Sequence, residues 1–311
     1  MFPADFGYAR ARSLAEALDL LGQARADDEE AKLIAGGQSL LPMMKLRLAA
    51  PQSLIDIGGL AELTGVTNGG PDGTTIGAVT TYRALAGDPH VAGRLPAMTD
   101  ALAVLADPQV RARGTIGGAV AHGDPASDLP AVLLALDAQI VITARSGTRV
   151  TPLDDFLQGV FTTDLADDEV VTAITLPPGA TAGSAYEKFE QPASHLPLAG
   201  VCSVVTVENE VITSAKVAVT GVASRPFRAL HSERALVSAP AAHDSIAAAA
   251  ASVADGVRPL SDQHASGPFR LHLAQVLTRR ALARAIARAS GIVITHVRLT
   301  PVRASVSRRK P

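Results

Sequence analysis

The amino-terminal part of the chain combines one helical pattern with two short apolar runs. Apolar residues recur at helical spacing over 13–24, and Ser13 stands three positions before Glu16, which is the spacing of a capping box. Apolar runs at 31–35 and 53–57 each lead into a glycine pair. Together these patterns predict an amphipathic helix followed by a small strand–crossover–strand unit.

The middle of the chain mixes strand patterns with one short helical stretch. Apolar and β-branched runs predict strands at 74–76, 139–143 and 170–176. The stretch 96–105 has helical character and is expected to stop before Pro108, because the residue that precedes a proline disfavours helical backbone.

A third part of the chain begins after residues 177–179, where two prolines and a glycine cannot continue a strand ladder and form the best candidate for a linker. Strand patterns follow at 185–189, 201–207 and 211–219, and helical patterns at 246–253 and 268–289. Residues 208–210 separate the last two strands, which predicts an antiparallel hairpin. The arginines of the last helix are expected to face solvent: Arg279, Arg280, Arg284 and Arg288.

Composition narrows the function classes without choosing among them. Of 311 residues, 47% are hydrophobic, which is enough for a large core, and 28 basic residues nearly balance 30 acidic ones. This balance removes the electrostatic case for a nucleic-acid or membrane-surface partner. The first residues lack a signal-peptide pattern and no stretch reaches the length of a membrane span, so a cytoplasmic location is expected. Cys202 is the only cysteine, which excludes an internal disulfide and an all-cysteine iron–sulfur cluster.

Two glycine-pair segments, 35–42 and 115–128, are the candidates for chemistry. Consecutive glycines after a strand let backbone N–H groups approach a ligand, and a run of such groups binds anions. Ser39 lies in the first segment and Thr115 opens the second, so a pyrophosphate held between them is chemically reasonable. Neither segment has the GxGxxG or GxxxxGKS/T spacing, which removes the main support for Rossmann and P-loop sites, and a plain turn remains the alternative for each.

The two segments resemble the paired FAD-binding motifs of one protein family. Residues 35–47, AGGQSLLPMMKLR, and 113–130, RGTIGGAVAHGDPASDLP, are similar to motifs of the flavoprotein medium subunits of molybdenum hydroxylases, typified by aerobic carbon monoxide dehydrogenase and xanthine dehydrogenase. The similarity continues in the family's order through 152–156, 168–171, 185–189 and 270–280, and covers about 1–289.

This resemblance implies an α+β fold. Residues 1–177 would form a two-lobed FAD-binding domain of the PCMH type, like that of vanillyl-alcohol oxidase, with lobes at about 1–57 and 58–177. Residues 178–289 would form a carbon monoxide dehydrogenase flavoprotein-like domain of antiparallel strands and helices. Residues 290–311 lie outside the resemblance and form a basic tail that is expected to be disordered.

The resemblance also implies a function and a set of partners. Substrate would be oxidised at a molybdopterin cofactor on a large subunit. Electrons would then pass through two 2Fe–2S clusters of a small subunit to the FAD of this chain and on to an external acceptor. The family's arrangement suggests a dimer of such three-subunit units.

By the same resemblance, the FAD-binding residues come from both glycine segments, from the loop after the second segment and from two strands. They are Ile34, Ala35, Gly36, Gly37, Gln38, Ser39, Leu40, Leu41, Thr115, Ile116, Gly117, Gly118, Ala119, His122, Asp124, Ser127, Asp128, Ile174 and Lys188. The pyrophosphate would lie at the glycine segments, and Lys188 would lie near the flavin rings. No side chain of this chain is expected to be catalytic or to bind a metal.

Several of these residues have simpler structural interpretations. Asp128 could cap the helix that starts near Leu129, where a carboxylate accepts an unpaired N–H. His122 could be a hydrogen-bonding loop residue and Lys188 a solvated or salt-bridged strand residue, while Cys202 on an apolar strand is expected to be buried and inert.

Two positions depart from the family pattern. Leu196 stands where members often carry an aromatic residue near the flavin, which leaves His195 as the neighbouring candidate to shield the rings. Ala119 stands where asparagine is frequent, so a polar contact would be missing. Both departures concern the surroundings of the flavin.

Two other functions remain as alternatives. A self-contained FAD oxidase would need its own base beside the flavin, and only His122 and His195 are loose candidates. A non-enzymatic nucleotide-binding scaffold that has lost flavin is the second alternative, and the intact glycine pairs argue against it.

Overall fold

The computed structural model describes residues 2–70, 73–179 and 183–291. It begins with a small lobe built from β1 (Gly7–Arg10), α1 (Leu14–Ala26), β2 (Ala31–Ile34), α2 (Leu40–Lys45) and β3 (Ser53–Asp56). The strands form a parallel sheet in the order β1-β3-β2. The predicted helix starts as expected, because the Ser13 hydroxyl accepts the Glu16 N–H at 3.1 Å. Strand β1 was not predicted, since its four largely exposed residues show no alternation of apolar and polar positions.

A larger lobe follows, with a short 3₁₀ helix at Ala61–Leu63 before its first strand. Its elements are β4 (Val66–Asn68), β5 (Thr74–Gly77), α3 (Tyr82–Ala86), α4 (Pro89–Arg94), α5 (Pro96–Val104), α6 (Pro108–Arg113), α7 (Ile116–His122), α8 (Asp128–Ala135), β6 (Gln139–Ala144), β7 (Gly147–Pro152), α9 (Leu153–Phe156), β8 (Leu157–Gly159), β9 (Thr162–Thr163) and β10 (Val170–Leu176). Five strands form an antiparallel sheet in the order β4-β5-β10-β6-β7. The predicted strand at 170–176 and the end of the predicted helix before Pro108 are both confirmed.

Two short helices of this lobe begin with an aspartate–proline pair. The Asp88 carboxylate accepts the N–H of Val91 at the start of α4, and Asp107 accepts that of Val110 at the start of α6. Proline is favoured as the first helical residue because it has no N–H that would need a partner. The pair therefore gives each of these six-residue helices a defined start.

The third part of the chain is an antiparallel sheet with helices packed on it. Its elements are β11 (Ser184–Glu190), β12 (Pro197–Glu208), β13 (Val211–Thr220), β14 (Phe227–Arg228), α10 (Leu230–Leu236), α11 (His243–Ala251) and α12 (Gly267–Ala289). The predicted hairpin joins β12 to β13, and Asn209 and Glu210 have φ of 49° and 64° as a tight hairpin turn requires. The mixed helix-and-sheet architecture confirms the α+β class.

The sheet of β11 to β13 is buried on both faces. Tyr186, Cys202 and Ala218 belong to the core of the larger lobe, and their neighbours Ala185 and Val201 belong to a second core under α12. Successive side chains of a strand point to opposite faces. The sheet therefore joins the larger lobe to the carboxy-terminal helices.

The prediction that the arginines of α12 face solvent is wrong for two of them. Arg284 and Arg288 bind the Asp100 carboxylate of α5, with N–O distances of 2.8 and 2.7 Å, and Arg284 also binds Glu187. The spacing of apolar residues along a helix locates its buried stripe, but it does not show that an acid on another element meets the edge of that stripe. Arg279 and Arg280 are exposed, as predicted.

Among the described residues, no helix is long and apolar enough to cross a membrane. Residues 292–311, which make up almost all of the predicted basic tail, lie outside the described part of the chain.

Candidate functional site

The first glycine segment connects β2 to α2. Ile34 ends the strand, Ala35 and Gly36 follow, and Gly37 adopts a left-handed conformation with φ of 70°, which favours glycine. A Cβ atom at Gly36 would overlap the carbonyl oxygen of Arg113. The first segment therefore touches the residues just before the second one, and glycine is required for that contact.

The first segment presents a run of backbone donors. Within the described residues, the N–H groups of the five residues from Gly36 to Leu40 donate to no backbone or side-chain acceptor. Ser39 precedes α2 without capping it, and Leu41 donates to the Gly37 carbonyl as the helix begins. Unpaired N–H groups next to a left-handed residue form a concave binding site for anions.

The second segment has its backbone donors already paired. Ile116 and Gly117 donate to the carbonyls of Thr80 and Ala78, at 3.1 and 2.8 Å, in the turn after β5. Thr115 caps α7, because its hydroxyl accepts the Gly118 N–H at 3.2 Å and its carbonyl accepts that of Ala119. The N–H groups of 116–119 are therefore used inside the protein.

The two glycines of the second segment have different surroundings. A Cβ atom at Gly117 would lie 2.5 Å from the Cβ atom of Ala78 and 2.7 Å from its carbonyl oxygen. A Cβ atom at the exposed Gly118 would meet only the Thr115 hydroxyl, at 2.8 Å. Gly117 is thus required by close packing of α7 on the turn after β5.

The loop between α7 and α8 is fastened to the carboxy-terminal sheet. The Asp124 carboxylate accepts the N–H of Ala126 at 2.8 Å and so shapes the turn. The Thr220 hydroxyl of β13 contacts the carbonyls of Pro125 and Ser127, at 2.9 and 2.8 Å. Ser127 precedes α8 with no side-chain cap. These bonds fix the position at which α8 begins.

Asp128 opens α8 and is buried, with 4% of its surface exposed. Its carboxylate does not cap the helix, which was the simpler interpretation, and instead accepts the Tyr186 hydroxyl at 2.7 Å. Burial raises the pKa of Asp128 to about 6, while the charge of Lys188 and the Tyr186 hydrogen bond act in the opposite direction.

Lys188 is the cation of this buried group. Its ammonium lies 3.2 Å from an Asp128 oxygen, and its side chain is only 3% exposed. It also donates to the His195 carbonyl at 2.8 Å, where His195 has a positive φ of 57°. The half-exposed carboxylate of Glu190 lies 3.7 Å away. Of the simpler interpretations, the salt-bridged one holds and the solvated one is wrong.

Other residues named in the sequence analysis lie in several environments. His122 ends α7 half-buried against the Phe161 ring, with ring centroids 4.9 Å apart, and burial lowers its pKa. Ile174 is fully buried in the central strand β10. Cys202 is fully buried and burial raises the pKa of its thiol, as the expectation of an inert cysteine requires. Leu196 is exposed beside His195.

Tyr186 is a site residue that the sequence reasoning missed. It stands two positions before Lys188 on β11, so both side chains point to the same face of the sheet. The period of two in a recognised strand could have placed Tyr186 beside Lys188. Its hydrogen bond to Asp128, 58 positions away, has no local signal.

The arrangement fits a large anionic cofactor with a polar ring system. The N–H groups of Gly36–Leu40 suit a diphosphate, because successive backbone N–H groups beside a left-handed residue can donate together to its oxygen atoms. The buried pair of Asp128 and Lys188 offers a fixed acceptor and a fixed donor of opposite charge. FAD has both a diphosphate and a ring system with donors and acceptors.

Comparison with protein families agrees with this description. Residues 4–179 match the family of the FAD binding domain in molybdopterin dehydrogenase, and residues 184–285 match the CO dehydrogenase flavoprotein C-terminal domain. The chain therefore belongs to the FAD-binding medium subunits of molybdenum hydroxylases. It is a flavoprotein subunit of an oxidoreductase, with FAD as its cofactor.

Individual relatives align over most of their length. The chain is 37% identical to the glyceraldehyde dehydrogenase medium chain of Sulfolobus acidocaldarius, over 90% of this chain and 98% of the relative. It is 37% identical to the carbon monoxide dehydrogenase medium chain of Afipia carboxidovorans, over 93% and 99%. A solved carbon monoxide dehydrogenase from Hydrogenophaga pseudoflava superposes with a TM-score of 0.87 at 39% identity, covering 93% of this chain and 99% of that one.

Proposed function

We propose that this chain takes electrons from the iron–sulfur clusters of a partner subunit and passes them to an external acceptor. When bound, FAD supplies the ability to exchange electrons singly or in pairs. The chain supplies binding, orientation and electrostatics. The observation that carries the proposal is the run of N–H groups at Gly36–Leu40 that have no acceptor in the described part of the chain, in a member of a flavoprotein family.

We propose that the first glycine segment holds the FAD diphosphate through these N–H groups, with Ser39 adding a hydroxyl donor. The residues just before the second segment support the first through the contact of Gly36 with Arg113. Asp124, Ser127 and Asp128 would contact the ribityl or ADP portion of FAD, and Lys188 would lie near the flavin rings. The burial of the Asp128–Lys188 pair supports a fixed orientation for the rings, because neither side chain is free to turn into solvent.

The proposed partners are a large subunit with the molybdopterin cofactor and a small subunit with two 2Fe–2S clusters. The two relatives at 37% identity are medium chains of enzymes named for different substrates, glyceraldehyde and carbon monoxide. We therefore propose that the large subunit determines the substrate. A dimer of three-subunit units and a cytoplasmic location stay predictions.

The test is the visible absorption spectrum of the tagged full chain, purified gently from its native host and recorded before and after reduction. We expect overlapping flavin and iron–sulfur bands that both bleach on reduction. Two further subunits should co-purify with the chain.

Other outcomes would favour the alternatives. A flavin spectrum without clusters, bleached by a substrate added to the isolated chain, would indicate a self-contained oxidase. A colourless preparation without other subunits that also fails to bind added FAD would contradict the proposal altogether.

A further inference from the structure

The Tyr186 hydroxyl connects the carboxy-terminal sheet to the first residue of α8. It donates to Asp128 at 2.7 Å, and Tyr186 and Asp128 are only 2% and 4% exposed. Burial and the Asp128 charge raise the pKa of Tyr186 well above its usual value. The hydroxyl therefore remains protonated at neutral pH and keeps its role as a donor.

Gly200 on β12 makes room for this hydroxyl. It pairs with Lys188 across the sheet, two register steps from the pair of Tyr186 and Cys202. A Cβ atom at Gly200 would overlap the Tyr186 hydroxyl oxygen and would lie 3.0 Å from the ring carbon that carries it. Gly200 has no positive φ, and a Cβ atom there would also lie 2.9 Å from the Thr220 Cγ2 atom, so space for neighbouring side chains, Tyr186 above all, rather than backbone conformation is the reason for glycine at this position.

The hydrogen bond limits how Asp128 can turn. Lys188 lies 3.2 and 3.4 Å from the two carboxylate oxygens, and the Tyr186 hydroxyl contacts one of them. With the hydroxyl removed, Lys188 would be the only hydrogen-bond donor to this carboxylate within the described residues. When a buried acceptor loses a partner, the folded protein is destabilised by the desolvation cost of that acceptor.

We propose that Tyr186 is a positioning residue for flavin binding, whose hydroxyl, seated over Gly200, holds Asp128 ionised and aligned and through it fixes Lys188. This inference rests on the proposed contacts of Asp128 and Lys188 with FAD. Tyr186 itself acts through Asp128 rather than on the cofactor.

The groups that face Asp128 define the expected pH dependence. Lys188 and Tyr186 of β11 stabilise its ionised form, and Glu190 of the same strand opposes it. Tyr82 of α3 also faces it, since burial and then the Asp128 charge raise the pKa of the Tyr82 phenol. Loss of the Tyr186 hydroxyl removes one stabilising group. The pKa of Asp128 should then rise above its present value of about 6.

The experiment measures FAD dissociation constants of the full-length apoprotein from pH 5 to 8.5 by quenching of flavin fluorescence. The natural chain should bind more weakly as pH falls through about 6, because Asp128 becomes protonated. In Tyr186→Phe this midpoint should move up by about one pH unit, so affinity should fall about twofold at pH 7 and nearly tenfold at pH 5. Tyr82→Phe is the matched control, since it removes a phenol oxygen that makes no hydrogen bond within the described residues.

Gly200→Ala provides a second arm, because its Cβ atom would displace the Tyr186 hydroxyl without removing any polar group. It should shift the midpoint in the same direction as Tyr186→Phe, and the double variant should be shifted no further than Tyr186→Phe alone. If Tyr186→Phe does not fold, Gly200→Ala carries the same test.

The outcomes separate this inference from the function it rests on. Variants with the pH profile of the natural chain, or with a uniform loss of affinity at all pH values, would overturn the positioning role of Tyr186. A natural chain that does not bind FAD at any pH would instead overturn the proposed function.

Discussion

The two glycine segments have similar sequences and opposite hydrogen-bonding states. At Gly36–Leu40 the backbone N–H groups have no acceptor within the described residues, whereas those of 116–119 are all paired inside the protein. The first segment ends a strand at the edge of its sheet, and the second is packed under the turn after β5. A glycine pair therefore marks either an open set of donors or a close contact between backbones, and only the partners of the N–H groups distinguish the two.

The largest expected difference is in stability within the second segment. Gly117→Ala should lower the free energy of unfolding by about 3 kcal/mol, because its Cβ atom would push α7 away from Ala78. Gly118→Ala is the matched control on the same helix and should change stability by less than about 1 kcal/mol, since alanine favours helix and the Thr115 hydroxyl can move. Urea unfolding of the apoproteins measures both, and equal losses would contradict the packing role of Gly117.

The helix cap of the second segment should have a smaller effect. Thr115→Ala removes the hydroxyl that accepts the Gly118 N–H and should cost about 1 kcal/mol of stability. Thr115→Ser keeps the hydroxyl and serves as the control. FAD affinity, measured by fluorescence quenching where the variant is folded, should change less than stability. A variant with natural stability and much weaker FAD binding would show that the second segment also donates to the cofactor.

The smallest effect on stability is expected in the first segment. Ser39 caps no helix, so Ser39→Ala should change the free energy of unfolding by less than about 0.5 kcal/mol. FAD affinity should nevertheless fall severalfold, because a hydroxyl donor next to the unpaired N–H groups is lost. Ser39→Ala and Thr115→Ala should be titrated with FAD in parallel. Ser39→Ala should weaken FAD binding, whereas Thr115→Ala should mainly lower the stability of the fold. If Ser39→Ala binds FAD as tightly as the natural chain does, Ser39 does not contribute to FAD binding.

Local patterns in the sequence account for most elements of the fold. The capping box at Ser13, the hairpin at 208–210 and strand β10 follow from neighbouring residues alone, and the structure confirms them. Strand β1 escaped prediction because its pairing with β3, 46 positions away in register, supplies what its own four residues lack. Long-range pairing is not encoded in the periodicity of a short segment.

The motifs of the candidate site could be predicted from the sequence, but the hydrogen bonds and ion pairs between its residues could not. The glycine segments could be recognised, but their opposite hydrogen-bonding states depend on Ala78 and Thr80, which approach one segment only. Asp128 and Lys188 were both named, yet their ion pair and the hydrogen bond from Tyr186 to Asp128 depend on how β11 meets α8. Contacts between distant segments decide which polar groups are buried together, and a single sequence does not show them.

The contact of Asp100 with Arg288 spans 188 positions of the chain. At the usual rates of translation, roughly ten to forty seconds separate the synthesis of the acid from that of its last cation. The rest of the larger lobe and the carboxy-terminal sheet are made within that interval, before the helix whose arginines pair with Asp100. A chain that ends before Arg284 therefore leaves the Asp100 carboxylate without the two arginines that it pairs with in the folded protein.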